Sequence, residues 1–269
     1  MGIHLIVDYY QDSRPARAEE FLTCLRKNLG HPEVECVWNL GGRDALLPDD
    51  IRRHEKYRCE PLGDRLTFHQ AVAFANERLS SCFVGIINLD IYLDTPSDGW
   101  GPAENLVRQS NVVLCQSRVD LQADGTLTRD PGYARLAFAN TQDGWFFVPP
   151  LDVPNIDFEL GTLGCDNAFA HRLTQAGKVP VNMGSRYRLI HVDLCRGKHA
   201  GNANVVHATE NATRQSTYSS YPEREGCYLV PDIDLLGDLE SVAKALNLTD
   251  LQKYRMKCDM LSHVIKIQN

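Results

Sequence analysis

The run Cys82-Phe83-Val84-Gly85-Ile86-Ile87-Asn88-Leu89-Asp90 decides the fold. Six apolar or small residues in succession, too few for a helix with a polar face, read as a strand covered on both sides of a parallel sheet. The run then ends abruptly in Asn88-x-Asp90, which places two oxygen-bearing side chains at the carboxyl end of that strand. Upstream, Ile3 to Val7 reads as a second buried strand, running into the polar loop Asp8-Tyr9-Tyr10-Gln11-Asp12. A helix follows, capped by Ser13, with Pro15 in its first turn and Phe21, Leu22, Leu25 and Leu29 on one face; Gly30 and Pro32 stop it. Glu35 to Leu40 is another strand, and Thr67 with Gln70 forms a capping box for a helix that presents Phe68, Val72, Ala75 and Leu79. Strand, helix, strand, helix, strand predicts an α/β domain that binds its ligand at the carboxyl ends of the strands.

Farther along, Val112 to Cys115, Trp145 to Val148 and Tyr187 to Val192 read as strands, and about Asp166 to Ala176 as a helix closed by Gly177. The stretch from Asn202 to Arg224 is polar and without period, which reads as a flexible loop. Thr249 and Gln252 open a last helix with Leu251, Tyr254, Cys258, Leu261 and Ile265 on its inner side. The expected architecture is a mostly parallel, mixed sheet flanked by helices over residues 1–200, with a loop and a helical extension over residues 201–269 packed on that core.

Composition narrows the function. The chain has 269 residues, 43% of them apolar and 23% charged, a globular profile with material for a full core. With 28 basic and 35 acidic residues, a net −7, it shows no basic stripe for nucleic acid. No apolar run approaches the roughly 20 residues of a membrane span, and residues 1–10 do not form a secretory leader. A cytoplasmic protein without a membrane span is expected. The nine cysteines have no pair closer than twelve residues, which fits scattered reduced thiols rather than a zinc or disulfide framework.

Three features can carry chemistry. Asn88 and Asp90 are hard oxygen ligands suited to Mg²⁺ or Mn²⁺ on a diphosphate, although Asx residues also end strands as turn formers. Asp90 at such a strand end is expected to be exposed, so that its removal leaves the fold intact. Gly161-Thr162-Leu163-Gly164 allows close backbone approach before Asp166, which could equally be a helix cap. His191 closes the run Leu189-Ile190-His191 and precedes Asp193, Arg196 and Lys198. A haloacid-dehalogenase-type phosphatase fits poorly, because Asn88 is no nucleophile and Asp90 and Asp94 stand four residues apart.

In this order the features resemble the GT-A fold glycosyltransferases, and more closely a group of small transferases from surface-glycan clusters of bacteria and large DNA viruses. The resemblance covers roughly residues 3–200. It rests on Val7-Asp8-Tyr9-Tyr10, Arg65 with Ala75-Asn76, Asn88-Leu89-Asp90, Cys165-Asp166 and His191, with Gln142-Asp143-Gly144-Trp145 before an acceptor-side strand. It implies a glycosyltransferase, inverting and assisted by a divalent metal, that moves a sugar from a nucleotide-diphosphate donor to a hydroxyl of a glycan acceptor. It further implies that Tyr9 and Asn39 hold the nucleoside, that Arg65 and Arg17 contact the donor, and that Asp90, Asn88 and His191 hold Mn²⁺ or Mg²⁺. Asp166 is then the general base, with Asp143 and Trp145 on the acceptor side. Trp145 and Trp100 are also candidate acceptor platforms, because a flat apolar face stacks on the C–H face of a sugar ring. The neighbours Phe146, Phe147 and Val148 argue instead for Trp145 in the core. Two positions depart from the family pattern: Asn88 replaces the first acid of D-x-D, and Cys165 the glutamate of x-E-D.

Two other readings remain open. A metal-dependent nucleotidyltransferase or pyrophosphatase also needs a cation at a strand end, but usually carries a Gly-rich basic loop after its first strand, and Asp8 to Pro15 has no glycine. A non-catalytic sugar-binding module would leave Asp166 as a cap alone.

Overall fold

The structure, a computed structural model, describes residues 2–195 apart from 43, 64, 130–137, 140 and 163, together with residues 230–232. Its elements in chain order are β1 (Ile3–Val7), α1 (Pro15–Leu29), β2 (Val34–Gly41), α2 (Asp49–Arg52), β3 (Tyr57–Gly63), α3 (Phe68–Arg78), β4 (Phe83–Ile87) and β5 (Ile91–Leu93). There follow α4 (Gly101–Gln109), β6 (Val112–Gln116), β7 (Arg118–Leu121), β8 (Leu127–Thr128), β9 (Phe138–Ala139) and β10 (Gly144–Phe147). The last are α5 (Cys165–Gln175), β11 (Val179–Val181), β12 (Leu189–His191) and β13 (Val230–Pro231).

Seven strands form the main sheet in the order β11-β6-β10-β4-β1-β2-β3. All run parallel except β10, which is antiparallel to both neighbours. The period of two sorts the side chains. Ile3, Leu5, Val7, Phe83, Ile87, Val112, Leu114 and Phe146 face a core with Phe21 and Leu25 of α1 and Ala103 and Leu106 of α4. Ile6, Val84, Ile86, Val113, Cys115, Trp145 and Phe147 face a second core with Phe68 and Val72 of α3 and Phe169 and Leu173 of α5. Gly85 is required where β4 meets β10, because a Cβ there would lie 2.5 Å from the Phe146 ring.

The expected strand at Cys82–Ile87 is β4, buried throughout, and the Thr67–Gln70 capping box is present with both of its hydrogen bonds. Ser13 does not cap α1. The cap position is Arg14, and Asp12 accepts both the Arg14 backbone N–H at 2.8 Å and its guanidinium, so an aspartate turn shapes the entry.

A second sheet, β5-β12-β7-β8, stands beside the carboxyl edge of the first. Its register sets Ile91, His191 and Asp120 level with one another. The expected loop at 202–224 and the helix opened by Thr249 and Gln252 lie outside the described residues. Within the expected extension, Val230 is buried and β13 pairs with β9, while Asp232 accepts hydrogen bonds from the backbone N–H and hydroxyl of Ser185, both at 3.1 Å.

Candidate active site at the carboxyl edge of the sheet

In the main sheet the chain leaves β1 for β2 on one side, whereas β4 lies on the other. The loops after β1 and β4 therefore diverge and open a crevice, the place where open α/β sheets bind ligands. On the β1 side Asn39 accepts the backbone N–H groups of Tyr9 at 3.0 Å and Gly41 at 3.1 Å, and donates to the Tyr57 hydroxyl at 3.0 Å. Asn39 and Tyr9 are both buried, so they clamp the first two strand ends. Tyr10 is the more open of the two tyrosines. The Arg65 guanidinium lies 5.4 Å from its ring centroid, 3.4 Å from Asp8 Oδ2, and donates to the Leu160 carbonyl at 2.6 Å.

At the end of β4 a charged network begins. Asp90 is not an exposed strand-end carboxylate as expected. Its side chain is 13% exposed and meets the buried Arg17 guanidinium and, at 3.1 Å, His191 Nε2. The reason is tertiary: α1 lies across β5, and β12 pairs with β5, so both cations are carried onto Asp90. Arg17 also donates to Glu20 at 2.8 Å and to the Val192 carbonyl at 2.6 Å, with Asp193 at 3.4 Å. His191 Nδ1 donates to Asp120 at 2.7 Å. Burial alone would lower the imidazole pKa, but the Asp120 and Asp90 bonds outweigh it and raise it to about 9. Burial alone would raise Asp90, and His191 and Arg17 together hold it well below the usual carboxylate range.

The resemblance implies a divalent cation, for which Asp90 and His191 are donor types of suitable chemistry. Asp90 Oδ2 and His191 Nε2 are 3.1 Å apart as an ion pair, with the Arg17 guanidinium on the same oxygen. Asp120 fixes the far nitrogen of His191, the support a metal-bound imidazole needs. A cation there must displace the Nε2 proton and share Asp90 with Arg17, so its affinity falls as pH is lowered. Asn88 donates its amide N–H to Asp143 at 3.0 Å, which leaves its oxygen as the end able to ligate. Glu20, Asp193 and Cys195 bring three more donor atoms within 4.8 Å of one another on the other flank of Arg17.

Opposite, the segment before β10 carries the acceptor-side acids. Asp143 is buried and receives Asn88 Nδ2 and the Arg118 guanidinium at 3.2 Å. Gly164, at φ +78°, is the N-cap of α5, and no side chain caps it, so Asp166 sits inside the first turn rather than serving as the cap. Asp166 accepts the Gln142 N–H at 3.1 Å. A carboxylate in a first turn is ordinarily made more acidic by the helix dipole. Here burial dominates, the backbone N–H groups of Asn167 and Gln142 oppose it, the Asp143 charge adds to it, and the pKa rises to about 6.

Of the residues singled out from sequence, Asn88, Asp90, Asp143, Asp166, His191 and Arg17 belong to this edge, with Arg65 beside Asp8 across the crevice. Trp145 and Trp100 are both fully buried, packed against Phe68 and Phe146 respectively, and neither offers a face to a sugar ring. Sequence reading passed over Arg118, Asp120 and Glu20. Their signals were faint: Arg118 and Asp120 alternate on one strand face, and Glu20 stands one helical turn after Arg17. Compared with models of known protein families the chain matches none, and no curated protein matches it. No helix among the described residues is long and apolar enough to cross a membrane.

Proposed function

We propose that the chain is a glycosyltransferase of the GT-A type, with residues 1–200 as its core, that moves a sugar from a nucleotide-diphosphate donor to a hydroxyl of a glycan acceptor. The observation that carries this reading is the division of the crevice. Asp166, a partly buried acid whose pKa rises to about 6, is held by the Gln142 N–H, and the adjoining Asp143 is bonded to Asn88 and, through Arg118 and Asp120, linked to His191 and Asp90. Asp90, His191 and Asn88 hold the divalent ion, Mn²⁺ or Mg²⁺, which when bound supplies positive charge to the departing diphosphate. The β1 and β2 ends, held in place by Asn39, form the floor for the nucleoside, with Tyr10 and Arg65 as its half-open wall. Asp166, ionised at neutral pH yet basic for a carboxylate, takes the proton of the acceptor hydroxyl as that oxygen attacks the anomeric carbon. Attack from the side away from the diphosphate inverts the anomeric configuration.

The test is a thermal-shift screen of sugar nucleotides with and without Mn²⁺, followed by transfer to glycan acceptors with the donor that binds. One donor is expected to raise Tm by mass action, more with Mn²⁺ than with EDTA. A full panel without a shift refutes the donor assignment, and a product of retained configuration refutes the role of Asp166.

A further inference from the structure

The chain crosses between the main and the small sheet several times, and at one of these crossings a single residue separates the strands. β6 of the main sheet ends at Gln116 and β7 of the small sheet begins at Arg118, with Ser117 between them. The crossing is pinned. Ser117 donates its N–H to Asn182 Oδ1 at 3.3 Å and receives Asn182 Nδ2 on its hydroxyl at 3.0 Å, both buried. The Gln116 carbonyl accepts the Asp143 N–H at 2.9 Å, so the acceptor-side loop is attached to the same crossing.

Arg118 turns this junction into a side-chain bridge. Its Nε donates to Asp120 Oδ1 at 3.1 Å, the atom that also receives His191 Nδ1. Its Nη1 donates to Asp143 Oδ1 at 3.2 Å, the atom that also receives Asn88 Nδ2. The Asp143 charge is the largest influence on this guanidinium and, against the cost of burial, raises its pKa above an already high value. The result is a series, Asp143, Arg118, Asp120, His191 and Asp90, that ties the small sheet to the segment whose Gln142 N–H holds Asp166.

We infer that Arg118 is a positioning residue, one that fixes Asp143 next to the Asp166 base relative to the Asp120–His191–Asp90 set. The inference rests on the transferase reading. A planar fork with separated N–H groups can meet two carboxylates on two sheets at once, whereas an ammonium is a single point of charge. Removing the fork leaves Asp143 buried without this cation and frees Asp120, and with it the ring of His191, to turn. Partners of this kind, one step removed from the working groups, typically cost 10–100-fold when lost.

The experiment compares Arg118→Met and Arg118→Lys with the parent enzyme, alone and combined with Asp166→Asn, using the donor identified in the thermal screen. Arg118→Met is expected to lower kcat about 10–100-fold, a larger factor than any accompanying rise in donor KM. Arg118→Lys should fall between, and added guanidinium ion should restore part of the Arg118→Met loss. Combined with Asp166→Asn, the Arg118→Met change should cost little more, because both act on one proton transfer. Parent-like kcat in Arg118→Met overturns the inference, as does a loss that adds in full to that of Asp166→Asn and follows the loss of Tm. A parent protein that transfers from no donor refutes the transferase reading itself, and the inference falls with it.

Discussion

Asp166→Asn should give an enzyme that is more stable and nearly inactive. The side chain keeps its shape and an oxygen to accept the Gln142 N–H at 3.1 Å, but loses its basicity. On the stability side, the folded carboxyl titrates near 6, against an ordinary value of 3.8 in the unfolded chain. Folding therefore favours the protonated form. That contribution is fully present below pH 3.8 and is lost as pH rises through 6, where the folded protein must hold a poorly solvated anion. At about 1.4 kcal/mol per pKa unit, the distance from 3.8 to about 6 amounts to about 3 kcal/mol of destabilisation at pH 8. Asparagine carries no charge and escapes it. The variant should be more stable than the parent by up to about 3 kcal/mol at pH 8, or roughly 5–10 °C in Tm, and by less than about 1 kcal/mol at pH 4. On the activity side, loss of a general base costs about 10²–10⁴ in kcat, equivalent to roughly 3–5 kcal/mol of barrier. The assay is donor turnover beside urea unfolding at pH 4, 6 and 8, with the acid limb of the parent kcat/KM profile expected near pH 6. Near-parent turnover would refute the role of Asp166 as base. A stability difference independent of pH would refute the burial argument.

Three further outcomes test the geometry around that base. Asp90→Asn removes the charge between Arg17 and His191 and should cost about 3–5 kcal/mol in urea unfolding together with most of the activity, so a variant as stable as the parent would contradict the buried network. Asn39→Ala leaves the backbone N–H groups of Tyr9 and Gly41 without their acceptor and should cost about 2–4 kcal/mol, measured the same way. Trp145→Phe should leave the acceptor KM unchanged and cost under about 2 kcal/mol, because the indole is buried and its N–H has no partner among the described residues, and a raised acceptor KM would place the ring in the site after all.

Local pattern alone determined the layered α/β core. The apolar run at Phe83–Ile87, the capping box at Thr67 and the heptad-like spacing in α1 are signals carried within a dozen residues, and burial enforces them. The strand-end acids Asn88 and Asp90, and Asp166 after its glycine turn, were legible for the same reason: a chemistry-bearing residue stood where an element ends. Other elements left little trace. β3 is an edge strand with six exposed or half-open positions, Pro61 among them, and β5 and β11 are only three residues long. The state of the site belonged to the tertiary structure. Arg17 is 73 residues from Asp90, His191 is 71 from Asp120, and Arg118 is 25 from Asp143, so no window of sequence holds both members of any pair. Those contacts enclose Asp90, load His191 with a proton and give Arg118 its partner on the other sheet. The same long-range packing encloses Trp145 and Asn39, and it lifts Asp166 against the helix dipole that its local position alone would obey. Charge energies depend on distance and on exclusion of water, and both are set only when the sheets close on one another.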